Sequence, residues 1–131
     1  MTKPDSQIST QRAPFLVYLQ LVAVLNHQLN RNQANYTVKP DLVGACVAEA
    51  ARWGMNSSDC RQVRRYLLEP ANGMNLVFSV SDKELRDSLQ KLYEMLCEAI
   101  GPVNTDNLLN KALAKVSRSK AAAIFSPRRL L

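Results

Sequence analysis

Ser81-Asp-Lys-Glu84 stands directly before five apolar residues, Leu85, Leu89, Leu92, Leu96 and Ile100, which recur at spacings of four, three, four and four. The first segment is a capping box. The serine side chain accepts from the third helical N–H, and the glutamate reaches back to the cap. The recurrence that follows is the 3.6-residue period of a helix with one apolar face. Gly101-Pro102 then stops it, so the spacing predicts a helix over 82–100. Such a helix needs apolar surface to cover its leucines, and the rest of the chain offers more helical patterns to supply it.

Pro14 suits the first turn of a helix, where a missing N–H costs nothing. From there to about Asn30 the apolar residues Phe15, Leu16, Leu19, Val22, Ala23, Leu25 and Leu29 follow the helical period. Val17, Leu21 and Val24 lie off that face, so the helix is apolar most of the way round and belongs in the centre of a core or against a second copy. Pro40-Asp41 opens a second helix running to Trp53, where Gly54 is a natural left-handed terminator. Ser57 or Ser58, with Asp59 in the first turn, starts a third helix that ends before Pro70. Asn104 or Thr105 caps a further one, with Leu108, Leu109, Ala112, Leu113 and Val116 on its apolar face, and Ala121 to Phe125 has room for a short last helix.

Asn72-Gly73 followed by Leu76-Val-Phe78 suits a small β-hairpin near residues 68–78, and an ordinary loop fits the same residues. The expectation is an all-α, single-domain bundle of five or six helices. Residues 1–12 form a flexible N-terminus, 13–116 the helical domain and 117–131 a basic C-terminal tail. At 131 residues the chain is long enough to bury a core without disulfides or metal.

Cys46, Cys60 and Cys97 are odd in number and widely spaced, which points to a reducing compartment and makes cytoplasm the default expectation. Phe15 to Leu25 imitates a signal peptide, but Gln20 interrupts it and no small-x-small cleavage site follows. It is also too short to span a membrane. His27 and the three cysteines lack the local spacing of a zinc site, and no metal or cofactor is expected. No Gly-x-Ser-x-Gly elbow and no glycine-rich phosphate loop is present, and His27 has no nearby acid, so no enzyme activity is expected.

The formal charge of +6 is uneven: +3 over residues 1–40, zero over 41–70, −2 over 71–100 and +5 over 101–131. In the tail, Arg118, Lys120, Arg128 and Arg129 are candidate contacts for an acidic or phosphate-bearing partner.

The stretch from Ala45 to Leu67 joins two helices through Gly54-Met55-Asn56, with the small Ala50 one turn before the glycine. Trp53, Met55, Cys60 and Val63 supply apolar residues where the helices meet. Over about 20 residues it resembles the helix-turn-helix family of DNA-binding motifs. The resemblance implies that Ser57, Ser58, Arg61, Gln62 and Arg65 face outward and contact DNA, arginine and glutamine through bidentate bonds to base edges. Glu49 departs from the pattern, since an apolar residue is usual before the small one, and Asp59 puts a negative charge at the reading end. A second, fainter likeness lies in Ile100-Gly-Pro-Val103, a turn similar to helical modules of some bacterial signalling proteins. The expectation is a non-enzymatic adaptor or regulator that binds a protein or a second copy of itself. A helix-turn-helix regulator reading DNA with helix 57–69 is the alternative.

Overall fold

The computed structural model describes residues 12–31, 39–76 and 78–131. Expectations for residues 1–11 and the connection over 32–38 fall outside these. Six α-helices occur among the described residues: α1 Ala13–Arg31, α2 Leu42–Arg52, α3 Ser57–Leu68, α4 Asp82–Ile100, α5 Pro102–Val116 and α6 Lys120–Ile124. The all-α single-domain bundle is what the apolar periods predicted.

α1 is the hub. Phe15 to Leu19 and Leu21 to Ala23 are all buried, so the N-terminal half of the helix is covered nearly all round, while His27, Asn30 and Arg31 are exposed. It packs against α2, α3, α4, α5 and α6. Its apolar breadth is therefore satisfied within one copy of the chain. Tyr18 and Ser88, both fully buried, join α1 to α4 through hydroxyls hydrogen-bonded at 2.7 Å. That bond satisfies two polar groups which would otherwise be costly to bury. The Tyr18 ring also meets Trp53 edge-on, with centroids 5.9 Å apart.

The corner between α2 and α3 is built from backbone bonds. The Gly54 N–H donates to the Ala51 carbonyl at 3.0 Å and the Met55 N–H to the Ala50 carbonyl at 3.1 Å, the pair that defines a Schellman cap. Gly54 sits at φ +98°, a conformation that side chains resist. Met55 is then buried, which seats the start of α3 on the core. The cap of α3 is Asn56, whose side chain accepts from the Asp59 N–H at 2.8 Å, and not Ser57 or Ser58. Asparagine one residue earlier reaches the third helical N–H and leaves both serines inside the first turn.

No strand forms among the described residues, so the hairpin near 68–78 is replaced by a 3-10 turn at Pro70–Asn72 and an extended segment. Proline lacks the N–H a ladder needs and favours the first position of a turn. Met74, Leu76, Phe78 and Val80 are half-buried, with Asn75 and Ser79 exposed. The segment lays that face on helices instead of pairing with another strand. Phe78 packs edge-on against Phe15, with centroids 5.5 Å apart, and Arg12 donates to the Met74 carbonyl.

α4 follows its prediction, with Ser81 as cap and Leu85, Leu89, Leu92, Leu96 and Ile100 buried. Gly101, at φ +85°, ends α4 and begins α5 directly, with Pro102 in the first turn. Asn104 and Thr105 are therefore inside α5 rather than its cap. Their side chains donate back to the Ile100 and Gly101 carbonyls, each at 2.8 Å.

The expectation of a separate basic tail over 117–131 is corrected. Ala121, Phe125, Pro127 and Leu130 are buried, and α6 packs on α1 while the 3-10 turn Pro127–Leu130 packs on α4. Ser119 caps α6 by accepting from the Ala122 N–H and donates its own hydroxyl to Gln20 of α1 at 2.9 Å. The segment reads as a tail because its apolar residues are few and interleaved with cations.

Candidate functional site

α3 turns Val63, Tyr66 and Leu67 into the core. That placement leaves Ser57, Ser58, Arg61, Gln62 and Arg65 exposed, together with Arg64. All five residues suggested by the helix-turn-helix resemblance thus lie on the accessible side of one helix, which is held at the corner by the Gly54 cap. Arg61, Arg64, Arg65 and Leu68 fall at i, i+3, i+4 and i+7, one continuous helical stripe. They line a shallow depression with Glu69 and Asn72. Leu68 is 63% exposed, and the large apolar residues Val103, Ile124 and Leu131 are exposed to differing extents elsewhere on the surface.

The zero net charge of residues 41–70 conceals how the fold distributes them. Asp41 is the cap of α2, its carboxylate accepting from the Gly44 N–H at 2.9 Å. Glu49 is paired with Arg52 at 2.7 Å and with Lys91 of α4 at 3.1 Å. Burial pushes the Glu49 carboxyl up, but bonds from Arg52 and Lys91 outweigh it and hold the group below its ordinary value. Arg61, Arg64 and Arg65 form no ion pair among the described residues. Asp59, half-buried in the first turn of α3, is the acid at the N-terminal end of that helix.

Of the basic residues near the C-terminus, Arg118, Lys120, Arg128 and Arg129 are exposed. Arg129 already has internal partners: Asp82 at 3.0 Å and the Phe125 ring, with its guanidinium carbon 4.4 Å from the centroid. The remaining three make no ion pair among the described residues.

Among those residues no group of three or more His, Cys, Asp or Glu side chains could hold a metal ion. Cys46 is buried, and burial pushes its thiol up to about 12, too high for a thiolate nucleophile. His27 is exposed on α1. No described helix is long and apolar enough to cross a membrane.

Two hollows were not foreseen. One, of about 270 Å³, is walled by Leu25, Leu89, Leu96 and Leu109, with Tyr93 donating to Asp106 at 2.7 Å beside it. The other, of about 390 Å³, runs over α1 between the ends of α3 and α5 and is edged by Leu68 and Lys115. The signal for the second was Leu68 itself, a leucine outside the apolar face that Val63, Tyr66 and Leu67 define. Around α3 the described residues offer guanidinium groups beside apolar surface. Comparison with protein-family models, curated proteins and solved structures finds no match.

Proposed function

We propose that this chain is a small non-enzymatic adaptor or regulatory protein that acts by protein–protein contact through the outer face of α3. The observation that carries this reading is the stripe of Arg61, Arg64 and Arg65, exposed and without acidic partners among the described residues, ending on exposed Leu68. Arginine beside an apolar anchor is the composition of an interface centre, where guanidinium groups pair with carboxylates and the apolar side chain is desolvated. A phosphate backbone would use the arginines but has little use for the leucine.

A second reading, DNA recognition by α3, is favoured by the exposure of Ser57, Ser58, Arg61, Gln62 and Arg65 on a helix that follows a Schellman corner. One experiment separates the two. A photo-crosslinking residue at Gln62 is expected to capture a protein partner that the same residue at Glu94 does not, and Arg61→Glu with Arg65→Glu is expected to abolish the capture. In parallel, duplexes of random sequence are offered at physiological salt. Enrichment of one sequence, lost in Arg61→Ala with the fold intact, overturns the adaptor reading. Such a variant is then expected to lose about 1–3 kcal/mol of specific affinity, with steep salt dependence from counterion release.

A further inference from the structure

We infer that the groove over α1, between the C-terminal ends of α3 and α5, receives an acidic amphipathic helix from a partner protein. This rests on the reading of α3 as the working face and names the partner's chemistry. The groove floor is α1 from Gln20 to Asn30, a run of about 15 Å at the helical rise, so it matches two to three turns of an incoming helix. Apolar side chains from all three helices line it, including Val24, Tyr66, Leu68 and Val116. A helix laid in an apolar groove reads such a surface with anchors at i, i+4 and i+7.

The charge of the partner follows from the rim. Among the described residues no acidic side chain lines the groove, and Lys115 stands on the α5 side. At the α3 side it continues, through Asn26, Asn30 and Leu68, into an adjoining cleft lined by Lys39 and Arg64. The one carboxylate there is Asp41, already bonded to the Gly44 N–H. α1, α3 and α5 all bring C-terminal turns to this region, each with a basic residue in the last turn: Arg31, Arg65 and Lys115. The negative helix ends, worth about half a charge each, are more than met by those three cations. Along the rim itself Lys39, Arg64 and Lys115 outnumber the one described carboxylate, Asp41, and leave it cationic. An incoming helix with leucines on one side and glutamates flanking them meets both demands.

The test is fluorescence anisotropy on the full chain with a labelled helical peptide carrying leucines at i, i+4, i+7 and i+11 and glutamates on its other faces. Saturable binding is expected, weakened about tenfold or more by Leu68→Glu and by Lys115→Glu, each the equivalent of one good contact. A peptide with lysines in place of the glutamates is expected not to bind. Equal binding of the two peptides, or affinity unchanged in both groove variants with helical content intact, overturns the inference. So does a dimer in sedimentation that Leu68→Glu dissolves, since a second copy then fills the groove. Arg61→Glu, outside the groove, separates the two levels. If it abolishes Gln62 crosslinking while Lys115→Glu, which lies off α3, changes neither crosslinking nor peptide binding, the α3 reading stands and the groove assignment falls.

Discussion

Glu49 shows how a single residue changes meaning once folded. In sequence it breaks the helix-turn-helix pattern; in the structure its carboxylate ties α2 to α4 through Lys91 and is braced by Arg52. Because those cations hold its pKa below the unfolded value, the stabilisation is complete above the ordinary glutamate range and is lost as pH falls through the depressed folded value. Glu49→Gln is therefore expected to lower the urea midpoint at neutral pH, and the gap from the native chain should close on acidification below the ordinary glutamate range. A gap independent of pH would mean that the ion pairs do not stabilise the fold. Ser88 is a comparable case. It interrupts the leucine face of α4, and its buried bond to Tyr18 supplies the reason. Burial, followed by the proximity of Cys46, raises the Tyr18 pKa well above the usual tyrosine value, so that bond is made by a neutral phenol.

At the scale of elements, α3 and α4 present opposite uses of an amphipathic helix. The leucine face of α4 is spent on the core, where Leu92 and Leu96 are almost fully covered. Leu96→Ala is expected to cost about 2–5 kcal/mol through lost transfer energy and the cavity left behind. Leu68→Ala, at the exposed end of α3, is expected to stay within about 0.5 kcal/mol. Equilibrium denaturation of both variants checks the contrast, and a large loss at Leu68 would place it in the core rather than on a binding surface. The residues after Gly73 show why a turn signal followed by apolar residues is not by itself a hairpin. They bury alternate side chains on helices, with no neighbouring backbone to complete a ladder.

For the whole molecule, the C-terminal segment decides whether the core is closed. Phe125 and Leu130 are buried beside α1 and α4, and Ala121 is fully covered. Deleting residues 118–131 removes large core side chains whose individual loss typically costs about 2–5 kcal/mol, against a total stability of about 5–15 kcal/mol for a domain. The truncated chain is expected to lose its cooperative thermal transition by circular dichroism. An unchanged melting temperature would show that the segment is peripheral after all.

The local elements were legible in the residues because their causes are local. A serine cap at Ser81, prolines at 14 and 40, glycines at 54 and 101 and the leucine period of α4 act within a few residues of one another. The outward placement of Arg61, Gln62 and Arg65 was implied by the helix-turn-helix resemblance, and the fold exposes all three. Other features depend on segments far apart in sequence. Gln20 meets Ser119, Asp82 meets Arg129, and Glu49 meets Lys91 only after the chain has folded. Those meetings turned a basic tail into part of the core, and a neutral stretch of sequence into a cationic surface. The groove over α1 has the same origin, because its walls come from three helices and no period within one helix records a neighbour's position. Periodicity shows which side of a helix is apolar; tertiary packing determines how much of that side is covered, and by what.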